Sequence, residues 1–274
     1  MREADQIIQH MGGILVSPAD APFCFNMTRR LAVRARIPIP RIYIIPESAP
    51  NAFAVGLTLD DSALAVTTGL LQHLDEYEIE AVLGHEIGHI QRGHSVSKTQ
   101  IAMKAMAIAT TAFVAGHQIA TSDVDFTPGD DDPDDPLSLI LKLGAGAAVA
   151  AAGSAAASSI LSGNSFQAEF EADQCSAKFA KKPWALSRAL RRIERLGAKG
   201  GTAYAPEVSQ LFIISPAYLD HQTHPPTTER VARLAVLPRP VAEVSSVSTI
   251  FCGSCGEKTD ADGKFCYWCG KTTG

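Results

Sequence analysis

With 24 lysines and arginines against 29 aspartates and glutamates, this 274-residue chain has no surplus of positive charge. Its formal net charge of −5 gives no general electrostatic argument for binding nucleic acid. The opening residues, Met1-Arg2-Glu3-Ala4-Asp5-Gln6-Ile7-Ile8-Gln9, contain no apolar run of the kind a signal peptide needs, so nothing there directs the chain into a secretory route. Alanine outnumbers leucine where leucine would matter most. The two long, mostly uncharged stretches, residues 99–121 and 137–162, are rich in alanine, and each carries a lysine, Lys104 and Lys142. Either could span a bilayer as a helix, which takes about 20 residues, but the drive to insert is modest. The loop between them, residues 122–136, lacks any base, holds seven aspartates and does not follow the spacing of a calcium loop, so it reads as a solvated connector.

What the sequence does have is centred on residues 75–95. Asp75 followed by Glu78 is the signature of a capping box, and Ile79, Val82, Leu83 and Ile90 recur at helical spacing. On that helix His85 and His89 stand one turn apart on one face, where two imidazole nitrogens can converge on one zinc ion. Glu86 lies about 100° further round, placed to take a proton from a water at the metal without ligating it. His85-Glu86-Ile87-Gly88-His89 is thus an H-E-x-x-H arrangement, whose chemistry is hydrolysis. By composition the pattern arises in about one such chain in a hundred, so it calls for a third ligand. Residues 165–180 read as a second helix that offers one. Glu169 and Asp173 are one turn apart, so if Glu169 ligates, Asp173 on the same face can orient a ligating histidine through its other nitrogen. Glu171 points about 200° away from Glu169 and is the poorer candidate.

With Asn51-Ala52-Phe53-Ala54 before these motifs and His224-Pro225-Pro226 after them, the set resembles the HtpX-type heat-shock membrane proteases, in the metallopeptidase family that also contains the CAAX prenyl protease. The resemblance spans roughly residues 13–234. It implies that His85, His89 and Glu169 ligate a catalytic zinc, that Glu86 is the acid/base, that Asp173 supports a ligand, and that His224 and Arg230 face the substrate backbone and the developing oxyanion. It also implies that Asn51 to Ala54 form the sheet edge along which a polypeptide substrate pairs, although an ordinary core strand would explain Phe53 as well. From the sequence alone His224 is only a histidine in a rigid proline loop. HtpX-type proteins normally begin with two membrane spans, and this sequence begins without them.

Residues 18–36 read as a basic amphipathic packing helix, residues 38–45 and 63–67 as strands, and residues 184–196 as a further packing helix. Small residues recurring through residues 144–160 permit close helix approach in the alanine-rich hairpin, which serves a membrane hairpin or a soluble helical pair. Arg92, Lys98, Lys181 and Lys182 flank the hairpin, and that bias sets the catalytic side in the cytoplasm. Residues 235–250 form a Pro/Val/Ser-rich linker. Beyond it, Cys252, Cys255, Cys266 and Cys269 form two C-x-x-C knuckles, the spacing of a structural zinc ribbon that suits a reducing compartment. Cys24 and Cys175 are left as buried thiols.

The expected fold is α+β: a mainly helical, gluzincin-like metallopeptidase domain over residues 1–234, with a small edge-strand sheet and the hairpin inserted at residues 99–162, followed by the linker and a ribbon at residues 251–274. The expected function is zinc-dependent endopeptidase action on unfolded or membrane polypeptides at the cytoplasmic face of a membrane, with one catalytic and one structural zinc and an unknown protein partner for the ribbon. Alternatives are a soluble cytoplasmic location, a prenyl-protein protease and a non-enzymatic scaffold.

Overall fold

The computed structural model describes residues 3–121, 136–161, 166–197, 210–214, 224–237, 249–251 and 258–260. Its centre is α4 (Glu76–Gln91), in which every residue from Glu78 to Ile90 is buried. A helix hidden on all sides needs neighbours all round it, and α4 packs on α2 (Pro22–Ala35), α7 (Phe166–Ala180), α8 (Pro183–Gly197) and the sheet strand β3 (Ala52–Gly56). Leu83 and Ile87 are fully buried there, each stabilising the fold by about 1.5–3 kcal/mol.

The expected capping box forms. The Asp75 carboxylate accepts from the backbone N–H groups of Tyr77 (3.0 Å) and Glu78 (2.9 Å), and Glu78 accepts from Asp75 N–H (2.9 Å). From α8, Arg188 reaches Asp75 (2.9 Å) while Arg192 reaches the buried Glu78 (2.7 Å). The two arginines fix the entry to the helix that carries the histidines.

Four strands make a mixed sheet in the order β1-β2-β4-β3, where β1 is Ile14–Leu15, β2 Arg41–Ile45 and β4 Ser62–Thr67. β2 runs parallel to β4 with Tyr43 opposite Ala65, and β3 runs antiparallel to β4 with Phe53 also opposite Ala65. β3 is therefore at an end of the sheet, as the substrate-edge expectation requires. Its outer side is partly taken, however: Ile213 N–H donates to the Ala52 carbonyl (3.0 Å), and the Asn51 side-chain amide donates to the Ile214 carbonyl (3.1 Å). Phe212 meets Phe53 edge to face at 5.4 Å. Leu211, Phe212 and Ile213 are each at most 2 % exposed, so residues 210–214 are core and not a loose flap.

α5 (His94–Ala120) and α6 (Pro136–Leu161) form the expected antiparallel pair. Gly116 and Gly146 sit at their crossing, where a Cβ on either would run into the other's backbone carbonyl. The small-residue pattern thus does permit close approach. Crossing a bilayer is another matter: among the described residues no helix is long and apolar enough to do so. The polar side chains of α5, Lys98, Lys104 and His117 among them, lower the apolar content of that helix. Two short strands, Thr249–Phe251 (β5) and Lys258–Asp260 (β6), pair antiparallel. Cys252, Cys255, Cys266 and Cys269 lie outside the described residues. Cys24 and Cys175 are buried thiols, as expected.

Candidate active site

Three side chains from two helices meet at the middle of α4. His85 Nε2 and His89 Nε2 are 3.0 Å apart, His85 Nε2 is 3.4 Å from Glu169 Oε2, and His89 Nε2 is 3.4 Å from Glu169 Oε1. A tetrahedral zinc bound at about 2.0–2.1 Å holds its ligand atoms about 3.3–3.4 Å apart. Each histidine stands at that figure from a Glu169 oxygen, His85 from Oε2 and His89 from Oε1, and the His–His edge is a few tenths short. Among the described residues this trio is the group with metal-binding geometry, and all three members are buried. Glu169 Oε2 has no hydrogen-bond partner among the described residues, with Arg230 Nη1 3.7 Å away from it and the Lys98 ammonium on the other oxygen. Nitrogen, nitrogen and carboxylate at these spacings fit zinc.

The helices approach this closely because α4 has no side chain at Gly88. A Cβ there would lie 2.6 Å from Cys175 Cβ and 3.2 Å from Ala172 Cα, both on α7. The glycine between the two histidines therefore lets Glu169 reach them.

Behind the ligands stands a buried ion pair. His85 Nδ1 donates to Asp173 Oδ1 (2.9 Å), which fixes the tautomer that leaves Nε2 for a metal. Arg230, on α9 (Thr227–Ala235), grips Asp173 with two bonds, Nε to Oδ2 (2.9 Å) and Nη2 to Oδ1 (2.6 Å). Its Nη1 donates to the Ile213 carbonyl (2.7 Å). Burial works to raise the Asp173 carboxyl, but the Arg230 charge and its hydrogen bonds hold it below the ordinary carboxylate range. Arg230 is 1 % exposed, with Nη2 3.4 Å from His85 Nδ1 and Nη1 3.7 Å from Glu169 Oε2, so its charge bears on the histidine and on the carboxylate.

Glu86 and His224 occupy the site without ligating. Glu86 is 1 % exposed, and its Oε1 has no hydrogen-bond partner among the described residues. Burial pushes its carboxyl up to about 7, against the pull of the neighbouring His85 and Lys98. His224 is buried with Nε2 3.7 Å from Glu169 Oε1, and burial pushes its ring down to about 3, so it is neutral at pH 7. Glu171 points elsewhere, towards His94 (3.6 Å), as its angle on the helix required.

Residues 24–237 match the model of peptidase family M48. The chain belongs to that family. Protease HtpX homologs share its sequence over most of its length: that of Acaryochloris marina is 34% identical over 239 residues (85% of this chain, 78% of that protein), and that of Ralstonia nicotianae is 38% identical over 227 residues (80% and 75%). A third, from Burkholderia multivorans, is 37% identical over 228 residues (80% and 75%). Among solved structures, Ste24p of S. mikatae aligns at 22% identity with a TM-score of 0.47, over 84% of this chain and 55% of that one, so the chain spans little more than half of Ste24p. This M48 peptidase is a metalloprotease.

One buried side chain beside the trio escaped the sequence reading. Lys98, taken as a charge flanking the hairpin, is 7 % exposed and donates to Glu169 Oε1 at 2.6 Å. It belongs to the metal centre, and it no longer counts towards the charge bias used to orient the chain. Nothing in the local pattern marked it, because a lone lysine at the start of an apolar helix looks the same whether it faces water or a buried carboxylate.

Proposed function

We propose that this M48 peptidase is a zinc endopeptidase that hydrolyses peptide bonds of unfolded or membrane polypeptides with Glu86 as general base. The observation that carries the reading is a buried His–His–Glu trio whose ligand atoms lie close enough to share one metal ion, with the buried Glu86 carboxyl next to it in sequence. His85, His89 and Glu169 would hold the ion. When bound, zinc supplies Lewis acidity that brings the pKa of water towards about 7 and polarises a carbonyl. Glu86 takes the proton from the attacking water and returns it to the leaving amine; a carboxyl lifted towards neutrality can do both. Asp173 and Arg230 keep His85 in its ligating tautomer. A neutral His224 N–H donates to the oxygen on which charge develops, a contribution of about 3–4 kcal/mol. Substrate pairing along β3 is best assigned to its Ala54 end, because Asn51 and Ala52 already bond residues 210–214 and Phe53 packs on Phe212.

Fluorescent casein incubated with the zinc-loaded chain tests the reading. Cleavage should stop on chelation and return with zinc; cleavage indifferent to chelator would sink it. His224→Ala is expected to lower the rate about 10²–10³-fold while zinc content stays the same. Loss of the metal along with the rate would remove His224 from its assigned role.

We assign the hairpin to the cytoplasmic face of a membrane, lying against the bilayer and not across it. Phe113 (67 % exposed), Val114 and Leu143 present apolar surface there. Membrane fractions washed with carbonate should release the chain, whereas retention would show a firmer anchorage than this.

A further inference from the structure

Lys98 enters the metal centre from α5, the helix that leaves α4 after a left-handed turn at Gly93 (φ 74°). Its Nζ donates to Glu169 Oε1 at 2.6 Å and lies 3.5 Å from His89 Nε2. Both atoms belong to the trio that would hold zinc. An ammonium has three donors and no acceptor, so it cannot join them as a ligand; it can only draw on the same lone pairs. Its distance from His89 Nε2 is close to the separation of about 3.3–3.4 Å between neighbouring ligands of a tetrahedral zinc. Nζ therefore stands about as far from His89 as a neighbouring ligand would, and closer than that to Glu169 Oε1. With Lys98 buried, little solvent screens its charge from a divalent ion sharing the same carboxylate.

We propose that Lys98 is a tethered competitor of the metal, sharing Glu169 with it, lowering the zinc affinity of the site and drawing back from Glu169 when zinc and water are in place. This rests on the metal centre assigned above and adds to it a device by which the chain weakens its own hold on zinc. A lysine that merely positioned Glu169 would have the opposite effect, since its removal would loosen a ligand and weaken zinc binding. The sign of the change separates the two.

The experiment uses the full chain and measures zinc affinity by chelator competition, together with melting of the zinc-free and zinc-loaded protein. The site is identified as the one that Glu169→Ala removes. Lys98→Met, which keeps the length and loses the charge, is expected to bind zinc roughly tenfold or more tightly. Its zinc-free form should melt below the parent, since Glu169 loses its cation, while zinc raises its melting temperature by more than it raises the parent's. Lys98→Gln, which retains a donor for Glu169, should tighten zinc in the same direction and serves if the methionine variant does not fold. Lys98→Arg, which keeps the charge, should bind zinc no more tightly than the parent. Equal or weaker affinity in both uncharged variants would overturn the proposal and leave the metal centre standing. If the parent and the Lys98 variants hold no more zinc than Glu169→Ala does, the metal centre itself is wrong.

Discussion

Glu86→Gln is expected to slow casein hydrolysis about 10²–10⁴-fold, the usual contribution of a general acid–base group, with zinc content and fold unchanged. The amide has the shape of the carboxyl but cannot take a proton. The fold gives it no reason to object: Glu86 is 1 % exposed, its Oε1 has no hydrogen-bond partner among the described residues, and burial already pushes the acid towards its neutral form. A neutral side chain there removes a desolvation cost. The melting temperature should therefore hold or rise while activity collapses. A structural role for Glu86 makes the reverse forecast, since substitution would then lower stability and spare the rate of whatever remains folded.

Arg230→Met should have the largest effect on stability. Arg230 and Asp173 are both at least 97 % buried and joined by two bonds of 2.6 and 2.9 Å. Removing one partner of such a pair leaves the other charge in a poor solvent for it, which costs about 3–5 kcal/mol. In a domain of this size that is a fall in melting temperature of about 6–20 °C. The Ile213 carbonyl loses its donor as well, so residues 210–214 should loosen from β3. Replacing both partners, as Arg230→Met with Asp173→Leu, should recover much of the stability because no lone charge is left. It should not recover the metal: without the carboxylate that holds its Nδ1–H, His85 is free to turn, and zinc affinity should stay about 10–100-fold low. Denaturant unfolding of the parent and the two variants checks this. A loss under about 1 kcal/mol for Arg230→Met would mean that the pair is solvated and that Arg230 has some other use.

Much of this site was legible in the sequence because its parts are local. Asp75 and Glu78 announce the start of α4 three residues apart, and the histidines announce their common face four apart. Glu169 and Asp173 repeat the logic on α7, and both land where helical geometry puts them. The long-range partners were another matter. Arg230 meets Asp173 across 57 residues of chain, and its position in a motif does not say on which side of His85 it will stand. Lys98 meets Glu169 across 71 residues, through a turn that no periodicity predicts. The cover on β3 by residues 210–214 was equally hidden, since Leu211, Phe212 and Ile213 read as any apolar run would. Alternation marks a strand but does not say what lies beside it.

The most direct test of the account is the number of zinc ions per chain in His89→Ala beside the parent, each zinc-loaded, desalted and assayed on casein. A trio of His85, His89 and Glu169 predicts one zinc fewer in the variant and no cleavage above background. The same zinc count in both, or undiminished cleavage by the variant, would contradict it and place the catalytic metal elsewhere in the chain.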